Sequence, residues 1–127
     1  RSAALERKIE IQTIRLANPK DSLFAEIHTE MCTYDFGKLK QGEIVEHTFK
    51  ITNTGKIDLI IKQINKECSC TSIYVSKLTI KPNNSTDITI KFNTKGLLGK
   101  QAKSITIIAD AFPTTKRLVF TAEVFNN

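Results

Sequence analysis

From Leu23 onward, apolar and polar residues alternate with a period of two. In the run from Val45 to Ile51, Val45, Phe49 and Ile51 share one face, and Glu46, Thr48 and Lys50 share the other. Ile88, Ile90 and Phe92 repeat the pattern, as do Ile105 and Ile107, then Leu118, Phe120, Ala122 and Val124. Successive side chains of a strand point to opposite sides of its sheet, so such runs need one dry face and one wet face. Turn residues separate the runs. They are Gly37 and Gly42, Asn53-Thr54-Gly55, Pro82-Asn83-Asn84-Ser85, Gly96 and Gly99, and Ala111-Phe112-Pro113. Short strands at regular spacing, with no long helical run, predict an all-β sandwich of about seven antiparallel strands.

Residues 1–22 do not share this pattern. Leu5, Ile9 and Leu16 fit a helical face, whereas Ile9, Ile11 and Thr13 fit a strand. Asn18-Pro19-Lys20-Asp21-Ser22 is a cluster of turn residues. The chain is therefore read as a linker or peripheral segment over 1–22 and one domain over 23–127. It begins at Arg1, not Met, so a preceding piece carrying any targeting signal is expected to have been removed. With 40% hydrophobic and 25% charged residues, the composition is that of a chain that buries a core. No window reaches the ~18 apolar residues of a membrane helix. Three cysteines are too few for a disulfide framework.

Cys68-Ser69-Cys70 is the sharpest chemical feature. In an extended segment both side chains point the same way. Three readings follow: small hydrophobes packed at a sandwich corner, two thiolates sharing a soft metal, or an easily reduced disulfide that acts as a redox switch. A closed metal site would need further ligands from Cys32, His28 or His47. His47 falls on the apolar face of its run and is expected to be a hydrogen-bonded core or rim histidine. His28 shares a face with Glu26 and Glu30 and is expected to be solvated. Asp35-Phe36-Gly37 matches the triplet of a kinase magnesium site, but no phosphate loop, catalytic-loop pattern or second domain accompanies it. Phe36 is read instead as a core plug before a glycine turn.

The net charge of +6 is unevenly spread. Residues 1–76 hold 11 basic and 10 acidic side chains, and residues 77–127 hold 8 and 3. Lys91, Lys95, Lys100 and Lys103 surround the Gly96–Gly99 loop without an acid among them. Such lysines are expected to blunt strand edges or to meet an acidic partner. Nucleic acid is disfavoured, since arginine is scarce there and no aromatic residues interleave for base stacking. Leu97 and Leu98 place two apolar residues on a turn and, with Lys95 and Lys100, form the candidate partner-binding surface. Asn83 and Asn84 head two overlapping glycosylation sequons, which matter only in a eukaryotic secreted setting.

Several stretches together carry a resemblance. They are Tyr34–Glu43, His47–Gly55, Leu59-Ile60-Ile61 with Cys68-Ser69-Cys70-Thr71, and Gly99–Ile107. Their order and spacing resemble the bacterial domain of unknown function 1573 family over about residues 24–125. There an aspartate-phenylalanine-glycine turn precedes a phenylalanine-rich strand ending in asparagine-threonine-glycine, and a Cys-Gly-Cys-Thr element follows. Here Ser69 stands at the glycine, and Asn83-Asn84 stand where Pro-Gly makes the turn; Asn tolerates the same positive φ. The resemblance implies an immunoglobulin-like β-sandwich akin to major-sperm-protein and Hydin-type domains. It also implies export to the bacterial periplasm or envelope, often behind a lipoprotein signal that would leave a lipid anchor. The functional expectation is a non-enzymatic protein-interaction or scaffolding domain that binds a protein or peptide and needs no cofactor. The alternative is a metal-handling or thiol-redox protein centred on Cys68 and Cys70.

Overall fold

The computed structural model describes residues 23–126; residues 1–22, read above as a linker, lie outside them. The described chain is an immunoglobulin-like sandwich of two sheets. Its strands are β1 (Ile27–His28), β2 (Thr33–Lys40), β3 (Ile44–Asn53), β4 (Leu59–Lys66), β5 (Thr71–Val75), β6 (Thr79–Ile80), β7 (Ser85–Asn93), β8 (Gly99–Asp110) and β9 (Thr115–Phe125). One sheet has the order β1-β3-β7-β5 and the other β2-β9-β8-β4-β6. No helix of the described residues is long and apolar enough to cross a membrane.

The expected inward faces form the core. Phe49, Ile51, Ile88, Ile90, Phe92, Ile105, Ile107, Leu118 and Phe120 are all buried between the sheets. The strand count differs from the expectation of about seven antiparallel strands, because two two-residue strands are added at the margins. The pairing differs too. β2 runs parallel to β9, since the chain crosses from β1 in one sheet to the edge of the other.

Two of the recognised motifs hold this architecture together. At Asp35-Phe36-Gly37 the register slips, with Asp35 opposite Thr121 and Lys38 opposite Glu123, so β2 contains one extra residue. Gly37 supplies the positive φ of 77° that the bulge needs. Asp35 Oδ1 accepts the Gly37 N–H at 2.9 Å and the Thr121 hydroxyl at 3.1 Å. The slip changes the parity of β2, so that Phe36 and then Leu39 both turn toward the core. Phe36 is half-buried against Tyr34, Phe92 and Phe120, as a core plug should be.

The second motif is Asn53-Thr54-Gly55. The Asn53 side chain is fully buried and donates to the carbonyls of Ile57 at 2.8 Å and Ile80 at 2.9 Å. Its Oδ1 accepts the N–H groups of Gly55 at 2.9 Å and Glu26 at 3.2 Å. One amide thus ties three chain segments together. Gly55 has no side chain because the N-terminal segment passes over it. A Cβ there would lie 2.6 Å from the Ala25 Cα.

Candidate functional site

The β7–β8 loop and the start of β8 carry the predicted partner-binding residues, and the loop backbone is tied at several points. Thr94 is buried and donates its hydroxyl to the Glu43 carbonyl at 2.7 Å. The Leu97 N–H reaches the Thr94 carbonyl at 3.0 Å, and the Gln41 amide donates to the Leu97 carbonyl at 3.1 Å. The Gln101 amide donates to the Leu98 carbonyl at 2.8 Å, and the Lys95 N–H reaches Asn93 Oδ1 at 3.0 Å. Gly96 and Gly99 take the positive φ values that close the turn.

The two leucines part company on this frame. Leu97 packs half-buried against the core, so its side chain is not a free docking element. Leu98 is 54% exposed, between the exposed Lys95 and Lys100. The expectation that these lysines blunt strand edges does not hold for Lys91, because β7 is paired on both sides at that point. Lys100 and Lys103 lie on the first part of β8, which runs past the end of the β4 pairing at Ile105 and is paired on the β9 side. Sequence alone does not show which strands are edges, and strand order decides it. Lys91 faces Glu46 at 3.9 Å and sits over the Tyr74 ring at 5.7 Å.

Cys68 and Cys70 lie in the turn between β4 and β5, where the chain passes from one sheet to the other. They are not extended, and they are not fully buried thiols. They form a disulfide, with Cα atoms 5.1 Å apart and both side chains half-buried. The turn is fixed by bonds that use no sulfur. The Thr71 N–H reaches the Cys68 carbonyl at 3.2 Å, the Asn93 N–H reaches the Cys70 carbonyl at 2.9 Å, and Lys66 Nζ donates to the Thr71 carbonyl at 2.9 Å. The Cys70 N–H points at Cys68 Sγ from 3.1 Å. Cys70 packs on the core. Closing so short a loop removes on the order of 1.6 kcal/mol of unfolded-chain entropy, about half of the ~3 kcal/mol of a 15-residue loop. The bond is therefore a weak staple. While it is closed, neither sulfur is a thiolate, so metal binding at Cys68 and Cys70 would require its reduction first. Among the described residues no three His, Cys, Asp or Glu side chains cluster as metal ligands would. Cys32 is free and exposed at the start of β2.

His47 lies on the inward face of β3 at the rim, as expected, but its ring is stacked rather than hydrogen-bonded among the described residues. The ring lies parallel to Tyr34, with centroids 3.7 Å apart and an interplanar angle of 12°. Phe49 meets it edge-on at 4.8 Å. Burial lowers its pKa below the usual histidine value by penalising the charged ring. His28 is exposed, as expected.

An immunoglobulin-like sandwich with an ordered apolar–basic loop and a disulfide turn defines the class. The family model for a protein of unknown function (DUF1573) matches residues 27–124, and the chain belongs to that family. No protein of curated function matches the chain. Among solved structures, a protein of unknown function from Porphyromonas gingivalis W83 is similar, with a TM-score of 0.69 and 22% identity over 78% of this chain. The chain spans 46% of the length of that protein. The ASH/PapD-like domain 7 of human CEP192 is similar at TM-score 0.66 and 11% identity, over 84% of this chain and 89% of that one. So is SSP-19, an MSP-domain protein like family member in Caenorhabditis elegans, at TM-score 0.50 and 16% identity, over 73% of this chain and 94% of that one. These likenesses show the fold.

Proposed function

We propose that the chain is a non-enzymatic protein-interaction module of a bacterial exported or lipid-anchored envelope protein, and that it docks an acidic protein segment on the β7–β8 loop. The observation that carries this reading is a hydrogen-bonded turn holding Leu98 outward between Lys95 and Lys100. A loop that is already ordered loses little entropy on docking, so contact at Leu98 is realised as affinity. Two exposed ammonium groups, neither paired with a carboxylate among the described residues, steer and select an acidic partner. The basic excess of residues 77–127 supports the same chemistry. Nucleic acid fits less well, because residues 95–100 hold no aromatic ring and no arginine. The non-enzymatic reading is supported by the work of Asp35 and Asn53, which hold backbone groups of the fold. The Cys68–Cys70 disulfide supports export, since cytosolic thiols are kept reduced. The lipid anchor rests on the family resemblance.

The test places a photo-crosslinking residue at position 98 and exposes the protein to bacterial envelope extract. Crosslinks to acidic segments are expected, weakened by salt and lost in the Lys95→Glu, Lys100→Glu double variant. Crosslinks from position 98 that are unchanged by salt and by the Lys95→Glu, Lys100→Glu double variant would overturn docking of an acidic segment at this loop. A second reading is thiol or metal chemistry at Cys68 and Cys70. The disulfide between them favours its thiol branch.

A further inference from the structure

We propose that the β4–β5 turn is a thiol–disulfide exchange centre, taking two electrons from a pair of cysteine thiols on another protein. The proposal rests on the thiol reading of this turn and is independent of docking at Leu98.

The geometry gives the two sulfurs different roles. Cys70 packs against the core, so an incoming thiolate approaches from the Cys68 side. The Cys70 N–H, 3.1 Å from Cys68 Sγ, is placed to stabilise a thiolate on Cys68 once the bond opens. The Lys66 ammonium, held on the Thr71 carbonyl at 2.9 Å, adds a fixed positive charge to the same turn. The neighbouring Glu67 carboxylate is engaged by Ser104, accepting its N–H at 2.9 Å and its hydroxyl at 3.2 Å. A low-energy thiolate beside an inner partner sulfur is the arrangement that disulfide exchange needs.

The exchange balances in two steps. A substrate thiolate bonds to Cys68 Sγ, the Cys68–Cys70 bond breaks, and Cys70 leaves with the electron pair and takes up a proton. The second substrate thiolate then attacks the substrate sulfur of the mixed disulfide. Cys68 leaves as the thiolate, facing the Cys70 N–H. The substrate dithiol becomes a disulfide, and this chain becomes a dithiol, with two electrons transferred. The three sulfur-free bonds of the turn remain, so the fold survives both states.

The test uses the full chain, as wild type and in a Cys32→Ser background that removes the exposed free thiol. The oxidised protein is mixed with a synthetic peptide carrying two reduced cysteines, and thiols are trapped with a maleimide and counted by mass. The expected result is one peptide disulfide formed per protein reduced, with the circular-dichroism spectrum unchanged. Offered the oxidised peptide instead, Cys70→Ser should form a mixed disulfide through Cys68. Cys68→Ser should form one about tenfold more slowly, as the poorer thiolate. In the reduced wild type, alkylation should favour Cys68 over Cys70 by a similar factor, which checks the assignment without a substitution at either position. The proposal is overturned if excess peptide leaves the disulfide closed, if both cysteines react alike, or if reduction melts the sheets. Exchange failing while position 98 still crosslinks its partner would remove this proposal and leave docking standing.

Discussion

Asn53→Ala should be among the most damaging polar-to-apolar changes in the domain, and the structure gives its size. The substitution removes two donors and an acceptor that serves two N–H groups, taking one bond from each of the carbonyls of Ile57 and Ile80 and the N–H groups of Gly55 and Glu26. The lost bond at Ile80 is buried and costs about 1.5 kcal/mol, its carbonyl keeping its place in the β4–β6 ladder; the three half-buried bonds contribute about 0.5–1 kcal/mol each. The total is about 4 kcal/mol, a large fraction of the 5–15 kcal/mol that holds a typical domain. Urea titration followed by circular dichroism measures it. With a slope of about 1–2 kcal/mol per molar, the midpoint should fall by roughly 2–4 M. Asn53→Asp sharpens the test. It keeps the acceptor but points an oxygen at the Ile57 and Ile80 carbonyls, which favours the protonated acid and raises its folded-state pKa above the unfolded ~3.9. The native state then holds the proton longer than the unfolded chain, so the variant loses stability, relative to wild type, as pH rises above about 4. A loss below ~1 kcal/mol for Asn53→Ala, or an Asn53→Asp penalty that does not grow between pH 4 and 7, would refute the claim that this amide clamps three segments.

Three further outcomes follow from the same structure. Gly55→Ala forces a Cβ against the backbone of residues 24–26, which cannot yield as a side chain can; a loss of about 3 kcal/mol and a melting temperature lower by roughly 12 °C are expected in a thermal scan. His47 has its folded pKa lowered by burial, so the unfolded chain binds the proton first. Its contribution is present above pH ~6.5 and is lost as pH falls below that value. An NMR titration midpoint at or above 6.5 would contradict this, and the stability of His47→Phe should lack that component. Replacing both Cys68 and Cys70 by Ser should cost no more than about 1.6 kcal/mol by chemical denaturation, and a larger loss would mean that the disulfide is a true staple.

How much of this could be read in the chain depended on bulges. β3, β7, β8 and β9 alternate along the segments that bury, and their inward residues were legible one by one. β2 and β4 each contain an extra residue, at Asp35–Lys38 and at Ile61–Gln63. Their inward side chains therefore fall at Tyr34, Phe36 and Leu39, and at Leu59, Ile61 and Ile64, spacings that no strict period of two produces. β1 and β6 are too short to carry a pattern. The parallel pairing of β2 with β9 leaves no mark, because alternation is the same in either direction. The need for a positive φ near Pro82 was legible, and Asn83 meets it at 66°. The state of the cysteines was not. Extended residues two apart hold their Cα atoms about 6.6–7 Å from each other, and the turn draws Cys68 and Cys70 to 5.1 Å, well inside disulfide reach.

The quoted motifs now separate by what the fold asks of them. Asp35-Phe36-Gly37 resets the parity of a strand, and Asn53-Thr54-Gly55 satisfies buried backbone groups where two segments cross. Remove either and specific bonds or contacts of the sandwich are lost. Cys68-Ser69-Cys70 is different in kind, because the hydrogen bonds that shape its turn run through the Cys68 and Cys70 carbonyls, the Thr71 backbone and the Lys66 ammonium. A serine or alanine could occupy either position without breaking one of them. The sulfurs add a bond that stabilises little, held where a backbone N–H faces one sulfur and the core backs the other. A feature that the architecture does not require, yet whose surroundings favour one ionised form, is best understood by the reaction it permits.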